Sequence, residues 1–87
     1  MARRIDPSTV TVTERKASLL IDTSRAFLQW GRHEKAYLAI RAAAQTAPEE
    51  VTGRPSVHRL IRELVSTAPP TIRRSADQFA AQIGVAP

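Results

Sequence analysis

Apolar and small side chains between residues 17 and 28 recur at the spacing of one helix face. They lie three, four and seven positions apart: Ala17, Leu20, Ile21, Ser24, Phe27 and Leu28. Thr11 and Glu14 have the spacing of a capping box at the start of such a helix. Gly31 follows the last turn, and glycine readily takes the left-handed conformation that ends a helix. The pattern therefore predicts a first helix from about residue 11 to residue 30.

Three further helices follow from the same periodicity and from the positions of proline. Residues 33–47 carry a stripe made mostly of alanine, and Pro48 stops that helix. Pro55 favours the start of a third helix, because the first helical position does not need an amide hydrogen. The predicted inward-facing positions are Ala36, Ala39, Ile40, Ala43 and Ala47, then Val57, Leu60, Ile61, Leu64 and Val65, then Ile72, Ala76, Phe79, Ala80 and Ile83.

The whole chain is predicted to be helical, because no strand-like alternation of apolar and polar residues occurs in it. We expect an all-α fold of four antiparallel helices, arranged as two stacked helical hairpins, since short connections make consecutive helices neighbours. The predicted organisation is a flexible segment at 1–10, a single domain at 11–84 with hairpins at 11–50 and 54–84, and a tail at 85–87. The third helix ends at Pro69-Pro70, the fourth begins between residues 71 and 75, and one helical turn is expected at 49–51.

Charge and composition narrow the functional classes. The 87 residues include 13 basic and 8 acidic ones, a net charge of +5, and the basic residues are spread along the chain rather than clustered. Cysteine is absent, which suits a reducing compartment. No segment approaches the roughly 20 apolar residues that span a bilayer. We therefore expect a cytoplasmic protein that contacts no membrane.

Patterns typical of catalysis or metal binding are missing from the sequence. The two histidines, His33 and His58, fall in different hairpins, with no second ligand at metal spacing. No nucleophile-elbow motif surrounds a serine, and no glycine-rich phosphate loop is present. The sequence therefore predicts that the chain is not an enzyme, with no catalytic residues, no cofactor and no metal.

The first hairpin fits much of the tetratricopeptide pattern, W-x2-L-G-x2-Y, then A-x3-F, then P, over 34 residues. When this pattern is aligned with residues 17–50, the positions that fit it are occupied by Ser24, Phe27, Ala36, Ile40 and Pro48. Two positions do not fit, since Leu20 stands where the pattern has Trp and Thr23 where it has Leu. The matched slots are those that need a small residue, a large residue or a proline. We predict a tetratricopeptide-like first hairpin, with the second hairpin as its cap.

Three longer elements resemble the C-terminal, tetratricopeptide-like region of actinobacterial Xre-type transcriptional regulators. They are L-x-I-D-x-x-R-A at 19–26, W-G-R-x-E-x-A at 30–36 and A-P-E-E-V-x-x-R-P-x-V-x-x-L at 47–60. In those regulators an N-terminal helix-turn-helix domain binds DNA, and the helical region serves self-association or the sensing of a partner. The resemblance does not extend to a DNA-binding domain. It implies a bacterial protein that contacts DNA only indirectly.

A tetratricopeptide register also predicts the residues that would meet a partner. The groove of the first hairpin would be lined by Ser18, Ile21, Arg25, Leu28 and Gln29, a mixed surface that suits a short amphipathic peptide or helix. Trp30 is left with two interpretations. It is an aromatic anchor for a partner, or it closes the hairpin by packing across Gly31 onto the second helix.

Two functions from different classes remain at this point. The first is a non-catalytic helical module for protein–protein interaction or sensing in bacterial transcriptional regulation, acting through homodimerisation or peptide binding. The alternative is a small basic DNA-binding protein that uses the third and fourth helices, with Arg73 and Arg74 on phosphates. Glycine is usual in the turn of a helix-turn-helix motif, and the Pro-Pro turn lacks it. We therefore favour the interaction module.

Overall fold

The fold is all-α, as the sequence predicts. A computed structural model describes the backbone of residues 7–84 and the side chains of residues 12–84. This part of the chain forms five helices and no strands: α1 (Pro7–Gln29), α2 (His33–Thr46), α3 (Pro48–Thr52), α4 (Pro55–Thr67) and α5 (Pro70–Gln82). Two pairs, α1 with α2 and α4 with α5, pack as hairpins. The short α3 corresponds to the helical turn predicted at 49–51.

The predicted start of the first helix is wrong by four residues. The helix α1 begins at Pro7, so the capping-box residues Thr11 and Glu14 lie inside it. Proline is favoured in the first turn of a helix because that turn has no carbonyl partner for an amide hydrogen. Residues 7–10, predicted to be flexible, are therefore helical, while residues 1–6 and the predicted tail at 85–87 lie outside the described residues. For the same reason α5 begins at Pro70 rather than at or after Thr71.

The turn between α1 and α2 is a Schellman motif centred on Gly31. Gly31 has a φ of +75°, in the left-handed region that glycine adopts without steric cost. Its amide donates to the Leu28 carbonyl at 3.0 Å, and the Arg32 amide donates to the Phe27 carbonyl at 2.8 Å. These two bonds satisfy carbonyls at the end of α1 and reverse the chain. The prediction that Gly31 ends the first helix is confirmed.

The core lies where the helical periodicity predicts it. All five predicted inward residues of α2 are buried, as are most of those in α4 and α5, with Val65, Ile72 and Ile83 half-buried. The largest side chains with almost no exposure belong to Ile40, Ile61, Leu64, Val51 and Val57. In α1 the buried inward positions are Ala17, Ile21 and Ser24, and the larger Leu20, Phe27 and Leu28 are only half-buried. Helices α2 and α4 therefore provide the centre of the core, and α1 lies along its edge.

The close approach of α1 to α2 is made by two small residues. Ser24 and Ala36 are both fully buried, and the Ser24 hydroxyl donates to the Ala36 carbonyl at 2.7 Å. A larger side chain at either position would separate the helices. No buried polar side-chain atom among the described residues lacks a hydrogen-bond partner, so this interhelical bond leaves no polar atom unsatisfied in the core.

Both histidines hold elements of the fold together. The His33 Nε2 lies 3.2 Å from the Thr67 hydroxyl oxygen, which joins the start of α2 to the end of α4. The His58 Nε2 lies 2.7 Å from the Thr52 carbonyl oxygen and joins α4 to the end of α3. Arg54 and Glu50 form an ion pair across the turn between α3 and α4. The His33 contact therefore links the two hairpins, and the other two contacts link α3 to the start of α4.

Candidate functional site

A surface groove runs between α1 and α4 and has a volume of about 300 Å³. Ligand pockets in proteins start at about this size. The groove is lined from both helices by Arg25, Leu28, Gln29, Ser56, Arg59, Leu60 and Glu63. It is therefore a composite site, with one wall from each hairpin.

The floor of the groove is apolar. Leu28 is half-buried and packs against the core, and Leu60 is 5% exposed and belongs to it. Both residues lie on the border of the inward face of their helix, so each covers the core on one side and meets the groove on the other. An apolar side chain of a partner that covered this floor would be stabilised by roughly 25 cal/mol for each Å² removed from water.

The rim of the groove is polar and carries more positive than negative charge. Arg25 lies on the α1 side, and its guanidinium is 3.3 Å from the Asp22 carboxylate one turn earlier. Arg59 and Glu63 lie on the α4 side, four residues apart and both exposed. An exposed ion pair such as Arg25 with Asp22 contributes little to stability, so Arg25 can exchange Asp22 for an acidic group on a partner.

Three of the five predicted groove residues lie together in this groove. Arg25, Leu28 and Gln29 line its α1 wall. Ile21 does not, because it is 3% exposed and belongs to the core. Ser18 is half-buried but lies two turns before Arg25 and does not line the groove. The predicted surface is therefore divided between a groove wall and the core.

Trp30 does not close the hairpin, which corrects one of its two predicted interpretations. Its side chain is 73% exposed. Trp30 directly follows α1, and its ring makes an edge-to-face contact with Phe27 in the last turn of that helix, with centroids 6.3 Å apart. The hairpin is closed instead by the Gly31 turn and by the Ser24 and Ala36 contact. Lys35 covers Phe27 from the α2 side, with its Nζ 5.7 Å from the ring centroid.

The α4 wall of the groove was missed in the sequence. Ser56, Arg59 and Glu63 are spaced three and four residues apart, so they form one polar edge beside the apolar face of α4. That spacing identifies the edge but not the element that it faces. The pairing of this edge with Arg25 and Gln29 depends on how the two hairpins pack, which local periodicity does not specify.

Between residues 12 and 84, no three His, Asp or Glu side chains converge in a way that could hold a metal ion. No helix in the described part of the chain combines the length and apolar character needed to cross a bilayer.

No protein family, curated protein or solved structure matches the chain. We therefore infer its function from the geometry of the groove and from the sequence resemblance.

Proposed function

We propose that the protein is a non-catalytic helical interaction module that binds a short amphipathic segment of a partner protein in the groove between α1 and α4. The main support for this proposal is that one groove combines an apolar floor with a charged rim. The floor consists of Leu28 and Leu60. The setting, bacterial transcriptional regulation, rests on the resemblance to the helical region of Xre-type regulators.

The chemistry of the groove indicates what the partner segment carries. A helix laid in a groove is held by apolar side chains at i, i+3 or i+4 and i+7, and Leu28 and Leu60 provide the surface for such anchors. Arg25 and Arg59 favour carboxylates beside those anchors, since guanidinium groups bind carboxylates in a two-pronged geometry. We therefore infer a partner segment with one leucine-like face and acidic flanks.

The fold supports this role through its two hairpins. In the proposal, α1 and α2 form a tetratricopeptide-like unit whose angle is fixed by the Gly31 turn and by the Ser24 hydrogen bond. Helices α4 and α5 stack on that unit as a cap and supply the second wall. Both walls of the groove are helical before binding, so no loop has to become ordered when a partner docks.

A peptide-display selection against the purified protein tests this function. We expect selected peptides to share apolar residues at helical spacing with Asp or Glu beside them. Leu28→Glu and Arg59→Glu should each weaken binding of such a peptide at least tenfold, and Leu38→Glu, an exposed leucine on α2, should not. Amide chemical shifts in the NMR spectrum should move along α1 and α4. Selected peptides whose binding is unaffected by both groove variants would contradict the proposal.

DNA binding by α4 and α5 is the second candidate, favoured by the exposure of Arg59, Arg62 and Arg74 on this packed helix pair. Arg73, the other arginine expected on phosphates, is also exposed, and its guanidinium donates a hydrogen bond to the Ala68 carbonyl at 3.1 Å. A gel shift across a salt series separates the two functions, because phosphate contacts are strongest at low salt. DNA binding that Arg62→Glu and Arg74→Glu abolish would support the alternative.

A further inference from the structure

A second apolar surface runs along α1, away from both the core and the groove. Val12, Leu19 and Trp30 are 61%, 66% and 73% exposed. Together with Lys16, Thr23 and Ala26 they are separated alternately by four and three residues, and at 100° per residue they lie within about 40° of one line along the helix. We call these six residues the outer stripe. Spacing of this kind is typical of the seam of a coiled coil.

Thr23 and Lys16, the two hydrophilic residues of the outer stripe, can be covered at little cost. The Thr23 hydroxyl already donates to the Leu19 carbonyl at 2.8 Å, so burial of Thr23 exposes no unpaired donor. Lys16 lies at the edge of the stripe, where its long side chain can cover apolar surface and keep its ammonium in water. Val12, Leu19 and Ala26 are apolar, and Trp30 lies at the end of the stripe, where its indole N–H can stay in contact with water.

We propose that the outer stripe is a self-association surface, on which α1 of a second copy packs in the antiparallel direction. About a two-fold axis near residue 21, each larger side chain of one copy meets a smaller one of the other: Trp30 meets Val12, Leu19 meets Thr23, and Lys16 meets Ala26. This size complementarity fits a second copy of the chain.

Charge also favours the antiparallel direction. A parallel pair would place Lys16 against Lys16 of the second copy, and like charges in direct opposition are destabilising. In the antiparallel pair Lys16 lies near the C-terminal half of the second α1, where the helix dipole is negative. The inference does not rest on the groove, since the stripe lies on a different face of α1.

The size of the contact predicts a weak, reversible dimer. The stripe spans 18 residue steps, about 27 Å of helix. A contact between two helices of this length covers roughly 500 Å² of each copy, or about 1,000 Å² in total, which is at the lower limit for a specific interface. We expect a dissociation constant on the order of 10–100 μM. Since each copy has a net charge of +5, added salt should strengthen the dimer by screening repulsion.

Sedimentation velocity from low micromolar to millimolar protein tests the proposal. We expect the wild type to dimerise, Leu19→Glu to stay monomeric with an unchanged circular dichroism spectrum, and Leu38→Glu to dimerise like the wild type. Leu38 is the matched control because it is an exposed leucine on α2 rather than on the outer stripe. A wild type that is monomeric at millimolar concentration, or a Leu19→Glu variant that dimerises as well as the wild type, would overturn the proposal.

Disulfide crosslinking tests the direction, since the chain has no cysteine of its own. In the proposed pair, residue 16 of one copy meets residue 26 of the other, and identical positions lie about 15 Å apart along the axis. A mixture of Lys16→Cys and Ala26→Cys should therefore oxidise mainly to the mixed dimer. Predominant disulfides between identical variants would indicate a parallel pair and refute the antiparallel arrangement.

Discussion

The hydrogen bond between Ser24 and Ala36 gives a quantitative test of how the first hairpin is held. In Ser24→Ala the hydroxyl that donates to the Ala36 carbonyl at 2.7 Å is lost. A buried hydrogen bond between neutral groups contributes about 1 kcal/mol to stability. Alanine is also a better helix former than serine by about 0.5 kcal/mol. We therefore expect Ser24→Ala to lower the free energy of unfolding by about 0.5 kcal/mol.

Ser18→Ala is the matched control, because Ser18 lies on the same helix and is only half-buried. It gains the helix preference and loses no bond between helices, so it should raise the free energy of unfolding by about 0.5 kcal/mol. The two variants should then differ by about 1 kcal/mol, or about 4–8 °C in melting temperature for a domain of this size. Urea unfolding monitored by circular dichroism measures the same difference.

Equal shifts in the two alanine variants would refute this account of the hairpin. In that case the Ser24 hydroxyl contributes nothing to packing, and the size of the side chain alone matters at this position. Ser24→Leu separates these effects, because the added carbons have no space where the side chain is fully buried against α2. Overpacking of this kind costs about 1–3 kcal/mol, and a Ser24→Leu protein as stable as the wild type would show that the helices are not closely packed here.

Three further predictions concern other parts of the molecule. Gly31→Ala should lower the free energy of unfolding by about 1–2 kcal/mol. The cost comes from left-handed backbone strain alone, because a Cβ at Gly31 meets no atom within 4 Å. Gly31→Asn should cost less, and a melting curve for Gly31→Ala that matches the wild type would contradict the assigned turn. Ile40→Ala should cost about 2–5 kcal/mol in urea unfolding, since Ile40 is fully buried, whereas a loss below 1 kcal/mol would place Ile40 outside the core. Leu28→Glu, used against peptides, should cost about 1–2 kcal/mol by the same measurement, because a half-buried leucine loses its packing against the core. A loss above about 3 kcal/mol would disqualify it as a groove variant.

The helices themselves could be predicted because each has a local physical cause. The stripe of alanine and isoleucine in α2 and the stripe of larger residues in α4 both have helical spacing. Gly31 takes the left-handed conformation that glycine favours. Pro48, Pro55 and Pro70 each stand at the start of a helix. The predicted start of α1 differs from the observed one because Thr11 and Glu14 have the spacing of a capping box but lie inside the helix, which begins at Pro7.

The groove could be predicted only in part, because its two walls come from different hairpins. Arg25, Leu28 and Gln29 follow from positions on one helix. Arg59 and Glu63 face them only after α4 packs beside α1, and the sequence contains no local signal for that packing. Ile21 was assigned to the groove for the same reason: its helix position borders both surfaces, and the packing of the hairpins decided that it belongs to the core.

The outer stripe illustrates a related limit in assigning the apolar residues of α1. This helix has apolar residues on two faces, and the face with the stronger periodicity was assigned to the core. That assignment gives Leu19 no packing role and leaves Trp30 with two interpretations, an anchor for a partner or a residue that closes the hairpin. Their exposure in the structure, 66% and 73%, shows that α2 and α4 leave this face uncovered. Large exposed apolar side chains aligned on one helix mark an interaction surface. If Leu19→Glu prevents dimerisation and Leu38→Glu does not, the outer stripe of α1 is the surface through which two copies associate.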